Sequence, residues 1–412
     1  MSLEAGTGTP PWLGHDRGTP GYRRLVVALF AAGVATFAQL YSVQSVLPAL
    51  ADGLHLGASQ AALGVSVATG ALAVSVVGWS ALADRLGRVP VMVASVVLAS
   101  LLGLAVPLAP SLGPLLVLRA LQGAALGGLP AVAVAHLAEE VHARAVALAA
   151  GAYVSGNSVG GLTGRVVSSG VADLAGWRWG VAAVAVVGIA ATAVFCVLVP
   201  RPRGFARHRR AGGPPLRDRV RRALSDPALL ALYAQALLLM GGFVTVYNYL
   251  GFRLLQAPFS LSQTVVGLLF VVYLAGTLSS SVAGRLAARG RLPVLLGAVA
   301  VFTAGCLLTL SARLVVVLAG LVLLTAGFFA AHAVASGWAG ARAEPGVRAQ
   351  ASALYTFAYY AGSSVVGWLT GFAFAAGGWA VVVGVVTGLA AVAAVLATLG
   401  LRRHGPPGSM GE

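Results

Sequence analysis

The chain has 412 residues, of which 58% are hydrophobic and only 9% charged. Soluble domains carry roughly 25% charged residues, so this composition excludes a globular protein that covers its surface in water. The net charge of +16 raises nucleic acid as a partner, but nearly all the basic residues fall in loops and tails flanking the apolar runs, and no nucleic-acid role is expected.

Residues 1–24 form a polar tail, Pro- and Gly-rich, without the short apolar core and cleavage site of a secretory signal. A bilayer-crossing helix needs about 20 apolar residues. Runs of that kind recur at roughly 25–47, 59–83, 90–109, 112–135, 145–168, 179–199, 228–250, 262–286, 292–311, 314–337, 349–374 and 379–400. Membrane barrels use segments of about 10 residues with alternating polarity. These runs are longer and continuously apolar, which predicts an all-α polytopic membrane protein with about twelve transmembrane helices. Residues 200–226 interrupt the pattern and hold nine Arg, dividing the chain into six-helix bundles at 25–199 and 227–400, with a tail at 401–412. An Arg-rich cytoplasmic linker of this kind fixes topology, and basic segments also attract anionic headgroups.

All 27 basic residues are Arg. With the N-terminus in the cytoplasm, 22 fall on the cytoplasmic side and only Arg178, Arg253 and Arg313 outside, while Arg119 and Arg165 lie within spans. That asymmetry is the positive-inside rule. It predicts a multi-pass protein of the inner (plasma) membrane with both termini cytoplasmic.

The two bundles read as copies. Gly87-Arg88-Val89-Pro90-Val91 returns as Gly290-Arg291-Leu292-Pro293-Val294, Gly156-Asn157-Ser158-Val159-Gly160-Gly161 as Gly362-Ser363-Ser364-Val365-Val366-Gly367, and Gly176-Trp177 as Gly378-Trp379. Three ordered matches at nearly one offset indicate a parallel repeat, with a substrate site near the midplane between the halves.

The short loop after span two carries the densest chemistry: Ser80-Ala81-Leu82-Ala83-Asp84-Arg85-Leu86-Gly87-Arg88. A carboxylate such as Asp84 accepts hydrogen bonds at a helix N-terminus. Arg88, one turn on, is expected to pair with Glu139 or Glu140 at the same face. Asp84, Arg85, Gly87, Arg88, Glu139 and Glu140 would then form a latch holding the cytoplasmic ends of the halves together in one state and parting in the other. The plainer alternative is a loop whose charges only set topology.

This loop resembles the pattern Gly-x-Leu-Ala-Asp-Arg-x-Gly-Arg-Arg between helices two and three of the major facilitator superfamily, departing from it at Ser80 and Val89. The family's fourth-helix motif Arg-x-x-Gln-Gly is matched by Arg119-Ala120-Leu121-Gln122-Gly123. Its fifth-helix antiporter motif Gly-Pro-x-x-Gly-Gly is matched weakly at 156–161, where Asn157 stands for the proline of exporters and leaves the direction of transport open. Stretches such as Leu40-Tyr41-Ser42-Val43-Gln44 and Tyr247-Asn248-Tyr249-Leu250-Gly251-Phe252-Arg253 look like the YnfM-like branch of efflux permeases.

The resemblance implies a cavity lined by helices one, four, seven and ten, which favours Tyr41, Gln44, Arg119, Gln122, Tyr247, Asn248 and His332, with Arg165 as a further candidate. A guanidinium as deep as Arg119 must face a cavity or a partner. Gly156, Asn157, Gly160 and Gly161 read as a helix-packing motif of small residues. Cys196 and Cys306 read as small buried apolar residues, with no disulfide framework or metal spacing. None of the eleven acidic residues falls mid-membrane, so a coupled proton would need His332 or a group on the substrate. The positive charge at Arg119 and Arg165 favours an anionic, or a neutral and polar, substrate.

The reading is a secondary transporter working by alternating access: an efflux permease for a small molecule, with protons as candidate coupling ions, lipid as its surroundings and a monomer as its unit. No cofactor, catalytic residue or metal site is expected, and the chain is not read as an enzyme. Import of a sugar or organic anion is the alternative; a polytopic membrane enzyme is the remote one.

Overall fold

The structure is a computed structural model and describes residues 12–204, 215–344 and 346–402. Expectations placed on 1–11, 205–214 and 403–412 lie outside the described residues. Within them the chain is almost wholly helical, and a single bridge between His15 and Val141 is the extent of β pairing.

The first half comprises α1 (Pro20–Leu40), α2 (Leu47–Leu54), α3 (Ala58–Leu86), α4 (Arg88–Ala105), α5 (Leu112–Leu126), α6 (Gly128–Glu140), α7 (Val146–Ala175) and α8 (Trp177–Leu198). A short linker helix, α9 (Leu216–Ser225), leads to α10 (Pro227–Leu254), α11 (Gln263–Leu268), α12 (Tyr273–Leu286), α13 (Arg291–Leu308), α14 (Leu314–Arg342), α15 (Arg348–Ala361) and α16 (Gly367–Arg402). Two helix starts are written plainly in sequence. The Thr19 hydroxyl accepts from the Tyr22 N–H and the Asp226 carboxylate from the Ala228 N–H, each followed by proline at the first helical position.

Ten helical stretches are long and apolar enough to cross a bilayer. Two further features bring the passes to twelve. The thirty-residue α7 is as long as its neighbours, although its Gly, Ser and Asn lower its hydropathy. The stretch Arg348–Arg402 doubles back at Gly377–Gly378, where the backbone leaves helical angles. Before that break Thr370 meets Thr245; after it Gln235 bonds the Ala393 carbonyl and Gly400 abuts Ala231, so the chain returns along α10. An even number of passes puts Pro20 and Arg402 on one side, here called the terminal side.

The internal repeat survives in geometry. α4 and α13 are both 18 residues long and begin at the paired Arg88 and Arg291. Gly176 (φ 86°) and Gly378 (φ 65°) both turn through the left-handed region that glycine tolerates, and each delivers a buried Trp. Two of the three arginines on the far side perform matching tasks. Arg178 donates to the carbonyls of Pro107 and Ala109 beyond α4, and Arg253 donates to those of Thr309, Leu310 and Ser311 beyond α13. Helix C-termini leave such carbonyls without partners, and a cation there also meets the negative end of the helix dipole.

Buried apolar residues gather in two clusters in the first half and one in the second. Large apolar side chains such as Val74, Leu278 and Val315 point outward and are more than two-thirds exposed, which suits lipid rather than water. Cys306 is buried, whereas Cys196 is exposed on the outer face of α8; its expected burial does not hold, because α8 lies at the rim of the bundle. Beside α9, Arg342 donates to Asp226 at 2.8 Å. Burial would raise the Asp226 carboxyl, but the Arg342 guanidinium and the Ala228 N–H outweigh it and hold the carboxyl below its usual range.

Candidate functional site

Between the halves lies a cavity of about 370 Å³. α1 and α7 line it from one half, and α10, α12, α14 and α15 from the other. Arg165 is its deepest charged group, nineteen residues along α7 from Val146, while Val154, Ser158 and Thr356 line its exposed parts toward the terminal side. No carboxylate lines this cavity among the described residues. Its walls are aromatic: Phe37, Tyr41, Phe243, Tyr273, Phe329 and Tyr359, with His332 among them. The His332 Nδ1 lies 3.1 Å from the Tyr355 hydroxyl.

Among the described residues, hydrogen bonds that cross between the halves sit on the far side. Gln44 Nε2 donates to Asn248 Oδ1 at 2.8 Å, Gln263 Nε2 to the Ser45 carbonyl, and Ser364 Oγ to the Ser66 carbonyl at 2.7 Å. The Asp173 carboxylate accepts from the Thr264 hydroxyl at 2.7 Å and from the backbone N–H groups of Gln263 and Thr264.

Of the residues expected at the cavity, Tyr41, Arg165 and His332 line it. Gln44 accepts from the Nε/Nη2 edge of Arg165 and donates to Asn248, so Asn248 meets Arg165 only through Gln44. Tyr247 lies in the wall of α10, bonded to Thr325 at 2.8 Å and packed on Phe243, Phe270 and Tyr273.

Arg119 and Gln122 are not cavity residues, which corrects the expectation. Arg119 is fully buried, and every bond of its guanidinium goes to protein. Nε donates to the Gly64 carbonyl (2.9 Å), Nη1 to the Gln39 carbonyl (3.0 Å) and to Gln122 Oε1 (2.5 Å), and Nη2 to the Leu40 carbonyl (2.5 Å). The physical reason is the break in the first pass. α1 stops at Leu40 and helical structure resumes at Gln44, which takes the Leu40 carbonyl out of the helical ladder, while the Gln39 carbonyl also accepts from the Ser42 hydroxyl at 3.0 Å. Arg119 reaches both carbonyls from α5 and alone supplies a donor to that of Leu40 among the described residues, and Gln122 completes the network with Gln39 and the Ala99 carbonyl.

Gly156, Gly160 and Gly164 form the surface on which α7 meets α1. A Cβ at each would fall 2.3 Å from the Phe30 oxygen, 2.6 Å from the Val34 Cα and 2.4 Å from the Ala38 oxygen. Gly161 belongs to another face, lining the cavity with its carbonyl accepting from Arg165 Nη1, while Asn157 lines the cavity and also lies against Gly33 of α1.

In the charge cluster at the terminal end of α3, the expected pairing of Arg88 with Glu139 is present. Arg88 donates to Asp84 at 2.7 Å and to Glu139 at 3.1–3.2 Å, tying α3, α4 and α6 within the first half. Glu140 takes no part; its carboxylate accepts from the backbone N–H groups of Arg203 and Gly204, both at 2.7 Å, because the chain leaving α8 folds over the end of α6. Gly87 makes the turn at φ 99°, and Arg85 is exposed.

Phe270 and Tyr273 were missed in the sequence. They stand beside Arg165 on the eighth pass, which the family pattern does not place at the cavity. The signal available was the polar and aromatic spacing Phe270, Tyr273, Thr277.

Twelve helical passes, an internal repeat and a cavity between the halves define a secondary-transporter architecture. Residues 29–261 match the family model described as Major Facilitator Superfamily. The chain is 41% identical over 364 residues to the inner membrane transport protein YnfM of Escherichia coli (strain K12), covering 88% of this chain and 87% of that protein. It is 38% identical over 378 residues to the MFS-type transporter YybF of Bacillus subtilis (strain 168), covering 92% and 93%. Among solved structures, a bacterial homologue of the human lysosomal transporter Spinster, inward-facing and occupied, superposes with a TM-score of 0.79 at 17% identity over 94% of this chain and 98% of that one. The nucleoside transporter NupG, solved as a point mutant, gives 0.73 at 13% identity, over 91% and 99%; both likenesses concern the fold. The chain belongs to the major facilitator superfamily and is a multi-pass membrane transporter.

Proposed function

We propose that this transporter exports a small molecule across the inner membrane by alternating access, as a monomer with both termini cytoplasmic. The carrying observation is the cavity between the halves, bonded shut on the far side and lined toward the terminal side by exposed Val154, Ser158 and Thr356. With 22 arginines in loops on the terminal side, that side is cytoplasmic, and the described conformation faces inward. Export draws further support from the resemblance of Leu40–Gln44 and Tyr247–Arg253 to the YnfM-like branch of efflux permeases. Protons moving the other way would be carried by His332, the titratable imidazole of a cavity lined by no carboxylate.

Flux in everted membrane vesicles tests the direction. Export predicts that cargo accumulates when the vesicle lumen is acidified, that the gradient collapses on adding cargo, and that His332→Ala uncouples the two. Accumulation only in right-side-out vesicles would establish an importer instead.

A further inference from the structure

Resting on the carrier reading above, we infer that Arg165 is the anchor for a monocarboxylate with a flat apolar or aromatic body, and that this anion displaces Gln44 and so loosens the far-side seal.

The two buried arginines of the first half differ in what they bind. Arg119 is taken up by four protein acceptors, three of them carbonyls. Arg165, only 2% exposed, has no carboxylate among its bonded partners. Its Nε and Nη2 both donate to one neutral oxygen, Gln44 Oε1, at 2.8 and 2.6 Å, and Nη1 donates to the Gly161 carbonyl at 2.8 Å. The Nε/Nη2 edge is the fork that matches a carboxylate with two parallel hydrogen bonds. A single amide oxygen takes that edge with one atom and no charge. A carboxylate offers two oxygens and a full charge, and charge-assisted bonds are roughly twice as strong as neutral ones.

The guanidinium is also held flat. Its carbon lies 4.2 Å from the Tyr41 ring centroid, 4.7 Å from that of Phe270 and 4.9 Å from that of Tyr273. Cation–π contacts of this kind strengthen when desolvated, so the fork is positioned before any ligand arrives. Aromatic rings make up much of the remaining lining, which suits a flat apolar or aromatic body on the fork. A cation would meet Arg165 with no carboxylate in the lining to offset it.

Gln44 links this site to the seal. Its other amide atom, Nε2, donates across the halves to Asn248 Oδ1, and the next residue, Ser45, accepts from Gln263 of α11. The Ser45 hydroxyl in turn donates to the Arg165 carbonyl at 2.8 Å. An anion that takes the fork removes the bonds orienting the Gln44 side chain, and the cross-half contact at Asn248 loses its support. Occupancy and opening are thereby connected through one residue.

The test uses the purified full-length protein and three probes of one shape: 1-naphthoate, 1-naphthamide and 1-naphthylmethylammonium. Wild type should bind naphthoate about 10- to 100-fold more tightly than naphthamide, the range expected for hydrogen bonds to a charged group, and should reject the ammonium. Arg165→Gln should erase that preference. Gln44→Glu, which supplies a permanent carboxylate to the fork, should weaken naphthoate by a similar factor while melting no lower than wild type and binding naphthamide as before. For the seal, Ser66→Cys with Ser364→Cys, in a Cys196→Ser, Cys306→Ala background, should cross-link less when naphthoate is added and equally when naphthamide is added. Equal binding of naphthoate and naphthamide, or a preference that survives Arg165→Gln, overturns the anchor; cross-linking indifferent to naphthoate overturns the link to the seal. Flux separates this inference from the carrier reading. Naphthoate that binds at Arg165 but never crosses proteoliposomes counts against a carrier, whereas transport of another cargo without naphthoate binding counts against the anion site alone.

Discussion

At the scale of single residues, two arginines show how one side chain type serves two ends. Arg119 repairs a broken helix; Arg165 stands in the cavity wall. A Lys at 119 would keep the charge, but one ammonium cannot reach carbonyls on two separate helices. Arg119→Lys should therefore lower the melting temperature and yield, costing about 1–3 kcal/mol for each buried carbonyl it leaves unmet, while the folded fraction binds cargo normally. Thermal unfolding in detergent beside cargo binding checks this; weakened binding at unchanged stability would return Arg119 to the cavity. The sequence made both arginines legible as buried and significant. It could not rank them, because depth is read from the apolar pattern whereas the acceptors of Arg119 exist only after the first pass breaks. Tyr41-Ser42-Val43 holds neither Gly nor Pro; the polar cluster Gln39, Ser42, Gln44, Ser45 and the nearby Pro48 were the signal, and counting apolar residues over the whole run averaged it away.

At the scale of elements, helix packing and loop charge lead to separate expectations. α7 approaches α1 so closely that backbone atoms of α1 occupy the space of a Cβ at Gly160. Gly160→Leu should push the helices apart and cost more than the usual 1–3 kcal/mol of an overpacked core, read as loss of folded protein by fluorescence-detected size exclusion. Gly170, with open space around its Cβ position, should tolerate Ala with little change. In the charge cluster, Asp84→Asn and Arg88→Ala should leave insertion intact and reduce flux several-fold, since coupling between conformational states is typically worth about 1–3 kcal/mol. Normal flux in both variants would reduce the cluster to a topological role. The repeat at this scale was legible from sequence: paired Gly-Trp turns and paired Gly-Arg starts keep their offsets in the folded chain. The glycines at 156 and 160 were legible as packing residues, but Gly161 was not separable from them. One residue's step around a helix moves a side chain by about 100°, from the α1 contact to the cavity.

At the scale of the whole molecule, the arginine distribution orients the protein. Reporter fusions after Arg222 and after Arg402 should both read cytoplasmic, and a periplasmic signal at either site would refute the proposed orientation. The far-side arginines Arg178 and Arg253 do not weaken this expectation, because carbonyls beyond α4 and α13 engage their guanidiniums. Twelve passes and two halves were readable from apolar run lengths and from the internal repeat. Which helices wall the cavity was not: the contributions of α7, α12 and α15 depend on how the halves close against each other, and no run of one helix records that.

The bond between Arg119 and the carbonyls of Gln39 and Leu40 spans about eighty residues of chain, and this has a consequence for synthesis. When the first pass leaves the ribosome, the guanidinium that satisfies its break has not yet been translated. Inside lipid an unmet carbonyl is costly, so the nascent segment through Gln44 should enter the bilayer as one continuous helix. Its bend would form only once α5 arrives. A ribosome-stalled fragment ending before Arg119 should show an uninterrupted first helix, and one extended past α5 should show the bend, as read by accessibility of single cysteines placed at Ser42 and Ser45.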